Sequence, residues 1–113
     1  MTVNSRAKGC RGEREAAELL RSMGFAARRG QQFSGDGAPD IITSLAGVHF
    51  EIKRSERLSP YRYMEQSARD ARDLIPTVMM RSNDEEWLLC LRAVDLVALV
   101  ERVNAARTVQ PTT

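Results

Sequence analysis

Hydrophobic residues recur along the chain at helical spacing in some stretches and at strand spacing in others. Turn residues and prolines separate these stretches, so the pattern predicts eight elements in the order αβββαββα. Such an alternation predicts an α/β fold in which helices flank one mixed sheet. The predicted elements are a helix over residues 6–23, strands over 25–29, 40–45 and 48–54, a helix over 60–75, strands over 77–81 and 87–91, and a helix over 96–106.

The stretch 40–54 has the pattern of a β-hairpin. Successive side chains of a strand point to opposite faces, so one face of its second arm is apolar and the other carries His49, Glu51 and Lys53. With a two-residue turn between the arms, Asp40 lies opposite Lys53 and diagonal to Glu51. This register predicts that Asp40, Glu51 and Lys53 cluster on one face of the sheet.

Two carboxylates beside a lysine suit phosphodiester hydrolysis. A set of oxygen ligands binds Mg²⁺ and leaves waters on the metal, which polarises the phosphate and lowers the pKa of a bound water. A neighbouring lysine orients or deprotonates the attacking water and offsets charge in the transition state. Glu-x-Lys alone is common on surface strands, but Pro39-Asp40 at the start of the partner strand makes the pattern more specific.

Length and composition narrow the class of protein. The 113 residues favour one domain, residues 1–113, with a frayed tail from about 107. No apolar run approaches the ~20 residues that cross a bilayer, so we expect a cytoplasmic protein without a membrane partner. Cys10 and Cys90 are expected to be free thiols. Residues 1–63 carry 11 lysines and arginines against 7 acids, which suits a phosphate-backbone partner as well as ordinary solvated charge.

Pro39-Asp40 followed by Glu51-Ile52-Lys53 matches the motif of PD-(D/E)xK nucleases. The surrounding sequence resembles the archaeal-type Holliday junction resolvases of that superfamily, from about residue 6 to residue 100. The resemblance implies a restriction-endonuclease-like core. The features that carry it are Lys8-Gly9 and Glu13-Arg14 on the first helix, Gly24-Phe25 at its end, Ser34-Gly35 before the Pro-Asp pair, and Tyr61 and Gln66 after the lysine strand.

The resemblance also implies roles for single residues. It implies a Mg²⁺ ion, with Mn²⁺ as a substitute, held by Asp40 and Glu51 and reached through water by Glu13. From the residues alone, a solvated helix face is an alternative for Glu13, and a plain loop position is an alternative for Ser34. The other implied catalytic residues are Lys53 as the catalytic lysine, Ser34 on a loop near the scissile phosphate, and Gln66 as a supporting residue.

The implied partners are DNA and a second copy of the chain. The family acts as a homodimer whose two active sites make paired nicks in a four-way junction, and surplus apolar residues in 79–91 predict part of an interface. We expect His49 to be a polar strand residue without a role, and Tyr61 and Tyr63 to pack or to stack on bases. The arginines expected to contact phosphates are Arg28, Arg29, Arg54, Arg57 and Arg62.

Two alternative functions stay open beside the resolvase. One is a PD-(D/E)xK nuclease with another DNA target, of nicking, repair or restriction type. The other, from a different class, is a non-catalytic nucleic-acid-binding module that retains this fold. The intact set of Asp40, Glu51 and Lys53 argues against the second, because an inactive site has no physical reason to keep three costly polar groups together.

Overall fold

The computed structural model describes residues 5–30 and 39–109. The order of elements agrees with the predicted order, and the mixed α/β class is confirmed. Within the described residues, no helix combines the length and the apolar character needed to cross a membrane. Both cysteines are free, as predicted. The elements are α1 Ser5–Ser22, β1 Ala27–Arg29, β2 Ile41–Thr43, β3 Val48–Arg54, α2 Pro60–Ala71, β4 Ile75–Arg81, β5 Leu88–Leu91 and, after a short 3₁₀ turn at Ala93–Asp95, α3 Leu96–Val109.

Helix α1 ends at Ser22 and is capped by Gly24, the glycine that the sequence places at its end. This glycine has a positive φ of 102°, a conformation that a residue with a Cβ rarely adopts. Its N–H donates to the carbonyl of Arg21, and the N–H of Phe25 donates to the carbonyl of Leu20, which together form a Schellman motif. Leu20 and Phe25 both belong to the main core cluster, so this cap fixes the direction in which the chain leaves the helix.

The strands form a three-stranded sheet in the order β3-β4-β5 and a separate antiparallel pair of β1 and β2. Strands β3 and β4 are parallel and are connected through α2, whereas β4 and β5 are antiparallel. The apolar face of β3, with Val48, Phe50 and Ile52, lies in the main core together with α1 residues. Helix α2 packs against β3 and β4, and Tyr63 lies in a second cluster with Val78 and Met80. The polar face of β3 is therefore covered by α2.

The predicted hairpin between residues 40–45 and 48–54 is wrong. Strand β2 pairs with β1, with Arg29 opposite Ile41, and hydrogen bonds of Ser44 to Ala26 extend this pairing. The alternation of side chains fixes which face of a strand is buried, but it does not determine which strand lies beside it. Because β2 does not pair with β3, Asp40 is not opposite Lys53 in a strand pair, as the predicted hairpin required.

Helix α2 is shorter than predicted, because it ends at Ala71 and not near Ile75. The next residue, Arg72, has a positive φ of 55°, and Ile75 already begins β4. Pro76 lies within β4 but before the residues that pair with β5, so its missing N–H removes no hydrogen bond to that neighbour. At the start of α3, Asp95 accepts a hydrogen bond of 2.9 Å from Nε of Arg92.

Candidate active site

The polar face of β3 forms the centre of the site. His49 and Glu51 are 8% and 5% exposed, although both carry ionisable side chains. The two oxygens of Glu51 face different neighbours: Oε1 lies 3.4 Å from Nε2 of His49, and Oε2 lies 3.7 Å from Nζ of Lys53. The predicted alternation of β3 is correct, and it sets three polar side chains side by side under α2.

Asp40 reaches this face through its side chain and not through strand pairing. Its Oδ2 accepts a hydrogen bond of 2.9 Å from the backbone N–H of Ile52, the residue between Glu51 and Lys53. Because β2 does not pair with β3, this N–H faces no strand partner on that side, and the carboxylate supplies the acceptor. The structure thus brings Asp40, Glu51 and Lys53 together, as the sequence predicted, by a different route.

The surroundings of Asp40 disfavour its charged form. Burial raises the pKa of Asp40 to about 6, and the negative charges of Glu51 and Glu13 act in the same direction. The hydrogen bond from Ile52 and the positive charge of Lys53 lower the pKa, but they do not outweigh the other causes. The site therefore holds more negative charge than its single lysine offsets.

Glu13 joins this site from α1. Its Oε1 lies 3.0 Å from Nε of Arg29 on β1, and its charge contributes to the raised pKa of Asp40. Arg29 also donates a hydrogen bond of 3.1 Å to the sulfur of Cys10, one turn before Glu13. The pairing with Arg29 holds Glu13 near Asp40, so Glu13 is more than an acid on a solvated helix face.

Lys53 is held from a second side by Tyr63. Its Nζ lies 5.5 Å from the centre of the tyrosine ring, a cation–π distance, and the Tyr63 hydroxyl donates to the carbonyl of Arg57. Tyr63 is buried, which agrees with the packing alternative for this residue, whereas Tyr61 is exposed. Gln66 is partly buried and follows Tyr63 by three residues on α2, so helical spacing sets it on the same face. Ser34 lies outside the described residues.

The five arginines predicted to contact DNA differ in their surroundings. Arg29 pairs with Glu13, and Arg54 pairs with Glu15 at 3.4 Å, so both already have acidic partners. The other three side chains are exposed to solvent and leave their guanidinium groups accessible to a phosphate backbone. These exposed arginines are Arg28, Arg57 and Arg62.

Two acids at the site were missed by the sequence analysis. Asp70 on α2 approaches His49 and Glu51, with one ligand atom of each within 4.8 Å of the others. Glu15 on α1 accepts from Arg81 at 2.9 Å as well as from Arg54, and so joins the ends of β3 and β4. Helical spacing places Asp70 on the same face of α2 as Tyr63. The sequence could therefore have indicated Asp70 as a site residue if the direction of α2 along β3 had been known.

Gly30 fixes the position of Asp40, and we expect Gly30→Ala to disrupt the site. The Gly30 N–H donates to the Asp40 carbonyl, and an added Cβ would overlap the carbonyl oxygen of Pro39. Relieving this overlap must move Pro39 and Asp40, at a cost of about 3 kcal/mol. Thermal unfolding of the variant tests this expectation.

Gly24→Ala is the matched control, since it strains a positive φ but meets no atom within 4 Å. We expect it to lose only about 1 kcal/mol of stability. Equal losses of stability in the Gly30 and Gly24 variants would show that Pro39 and Asp40 do not have to move when a Cβ is added at Gly30.

Comparisons with known proteins agree with this description. No protein-family model matches the chain. A UPF0102 protein of Helicobacter pylori strain Shi470 is 44% identical over 57 residues, which are 49% of this chain and 50% of that protein. A UPF0102 protein of strain HPAG1 gives the same figures. The chain thus spans about half the length of the curated relatives that it matches.

A solved structure gives the broader match. Hjc of Archaeoglobus fulgidus, a Holliday junction resolvase from an archaeal hyperthermophile, aligns with a TM-score of 0.56 over 72% of this chain and 73% of that one, at 23% sequence identity. The chain has the fold of that resolvase. The resemblance drawn from the motif is confirmed at the level of the fold, a mixed three-stranded sheet flanked by helices.

Proposed function

We propose that the protein is a metal-dependent DNA endonuclease. The observation that carries the proposal is the approach of Asp40 to Glu51 and Lys53, made by its hydrogen bond to the backbone of β3. This arrangement offers two carboxylates and an ammonium group at one strand, as phosphodiester hydrolysis requires. The shared fold with a resolvase supports the same function.

The residues present fit a hard divalent cation. The raised pKa of Asp40 reflects an excess of carboxylates in a buried place, and a divalent cation offsets such an excess. Asp40 and Glu51 would bind Mg²⁺ directly and Glu13 through water, with Mn²⁺ as a substitute that accepts the same oxygen donors. When bound, the ion would polarise the phosphate and lower the pKa of a water molecule.

The side chains of this protein would do the remaining work. Lys53, held between Glu51 and the ring of Tyr63, would direct its ammonium group at the attacking water or at a phosphate oxygen. His49 would hold the second oxygen of Glu51 in place. Gln66 and Ser34 remain proposed supporting residues, of which Gln66 shares the α2 face with Tyr63.

We further propose that the substrate is a branched DNA, first of all a four-way junction, cut by a homodimer. Met79 and Met80 of the predicted interface are buried in the core, but Leu88 and Leu89 on the edge strand β5 are exposed. Helix α3, which follows β5 in the chain, also exposes apolar side chains, among them Val97, which is 70% accessible. A second copy packed on this apolar surface would set two equivalent sites in one assembly, which matches the two equivalent strands of a junction.

A cleavage assay tests this proposal. A four-way junction, a nicked duplex, a flap and a plain duplex would be compared with Mg²⁺ and with chelator. We expect paired nicks in the junction only with the metal, strong competition by unlabelled junction and weak competition by duplex of equal length. Affinity should fall steeply with salt, because phosphate contacts release counterions.

Each other result selects an alternative. Cleavage of the flap or the nicked duplex instead would assign the nuclease to another DNA target. Binding of DNA without cleavage under any metal would favour the non-catalytic module. A protein that stays monomeric at micromolar concentration would contradict the symmetric mechanism and the interface at β5 and α3.

A further inference from the structure

A second group of potential metal ligands lies on the other side of the Glu51 carboxylate from Lys53. One ligand atom each of His49, Glu51 and Asp70 lies within 4.8 Å of the others. Helix α2 runs back along β3, so Tyr63 near its start meets Lys53, and Asp70 near its end meets His49. Within the described residues, Asp40 and Glu13 are not members of this group, which is therefore distinct from the proposed Mg²⁺ ligands except for Glu51.

The contact between His49 and Glu51 is long for a hydrogen bond between two buried side chains. His49 and Glu51 are both more than nine-tenths buried, yet their closest atoms are 3.4 Å apart. Buried N–H···O bonds are normally ~2.7–3.2 Å long. Two ligands on one tetrahedral metal, each at ~2.0–2.1 Å, are separated by roughly 3.4 Å. The spacing of Nε2 and Oε1 is therefore compatible with two ligands of one cation.

The burial of the group also suits a cation. A buried imidazole and a buried carboxylate supply the protected side, whereas Asp70 is exposed and leaves access for the ion and for a water ligand. Three protein ligands with one open position are typical of zinc sites that keep a water. The imidazole shifts the preference from Mg²⁺ towards late first-row metals, which bind nitrogen well.

We propose that His49, Glu51 and Asp70 form a second cation site, which takes a late first-row divalent ion of the Zn²⁺ class. This site shares Glu51 with the proposed Mg²⁺ site, and no other residue is common to the two proposals. Binding of a cation at the second site requires neither DNA nor cleavage activity.

Cobalt titration of the full chain tests the site, because Co²⁺ replaces Zn²⁺ and absorbs visible light when its coordination is tetrahedral. We expect one Co²⁺ per chain with a visible band that Zn²⁺ removes. His49→Gln and Asp70→Asn should each weaken binding at least about 10-fold. Asp70 is exposed, so Asp70→Asn is expected to fold even if the buried His49 variant does not.

Two further variants separate binding at this site from cobalt binding elsewhere on the chain. Asp40→Asn removes a proposed Mg²⁺ ligand outside the group and should keep the cobalt band. Glu65→Gln removes another exposed acid of α2 and should also keep it. Unchanged cobalt affinity in Asp70→Asn, or a thiolate charge-transfer band from Cys10 or Cys90 in place of the expected spectrum, would overturn the proposal. If the unaltered protein binds cobalt as expected but cleaves no DNA, the result contradicts the proposed nuclease function and leaves the second cation site standing.

Discussion

Replacing Lys53 by alanine should lower the cleavage rate by roughly 10²–10³-fold while DNA affinity changes only a few-fold. The ammonium group lies at the polar face of β3, 3.7 Å from Glu51, where charge would develop during hydrolysis. It is partly buried and fixed by Tyr63, so it contributes little to the exposed surface that would contact the DNA backbone. Single-turnover cleavage at saturating DNA, together with a binding titration, separates the two effects.

Arg57→Ala is the matched control for Lys53→Ala. Arg57 is exposed and is predicted to contact DNA, so its loss should weaken binding and leave the single-turnover rate at saturation unchanged. Both variants would be measured at pH 8, where the loss of the lysine charge no longer changes the protonation of Asp40. If Lys53→Ala cleaves at the rate of the unaltered protein, the lysine only balances the charge of Glu51.

The sequence predicted the parts of the fold that depend on local pattern. The faces of β3 follow from strict alternation, and the end of α1 follows from Gly24, which the Schellman motif requires to adopt a positive φ. Both features are set by residues within a few positions of each other. The burial of Val48, Phe50 and Ile52 and the placement of Glu51 beside Lys53 were therefore predictable.

The choice of strand partners was not predictable in the same way. Residues 40–45 satisfied the pattern of a hairpin arm, but β2 pairs with β1 across the segment 31–38. Pairing depends on long-range packing, which a local pattern does not encode. Asp40 still reached the predicted neighbours, because its side chain accepts the N–H of Ile52, which has no strand partner on that side when β2 pairs with β1.

Contacts between distant elements were missed for the same reason. Glu15 lies two residues after Glu13 on α1, and it pairs with Arg54 and Arg81 at the ends of two strands. These pairs connect α1 to the ends of β3 and β4, so the guanidinium group of Arg54 already has an acidic neighbour. Asp70 became visible as a potential ligand only when the direction of α2 along β3 was known.

Asp40→Asn should abolish metal-dependent cleavage and at the same time stabilise the metal-free protein. The pKa of Asp40 is 3.8 when unfolded and about 6 when folded, so the folded state holds its proton more tightly. Stability of the metal-free protein should therefore fall as the pH rises from about 4 through about 6, and the lost stability stays lost above that range. Asparagine carries no charge at any of these pH values and can still accept the N–H of Ile52.

The expected size of this effect is at most on the order of 3 kcal/mol, since each pKa unit corresponds to about 1.4 kcal/mol and solvent reduces the effect at a partly buried group. Thermal unfolding from pH 4 to pH 8 in chelator should show a decline for the unaltered protein that is weaker in Asp40→Asn. Glu65→Gln, an exposed change of equal charge, is the control and should keep the decline.

Addition of Mg²⁺ should reverse the order of the two proteins. A cation bound by Asp40 and Glu51 favours the ionised carboxylate, so the unaltered protein gains stability above pH 6, where the proton no longer competes with the metal. Asp40→Asn lacks that ligand and should gain much less. If Mg²⁺ stabilises both proteins equally, Asp40 does not hold the metal.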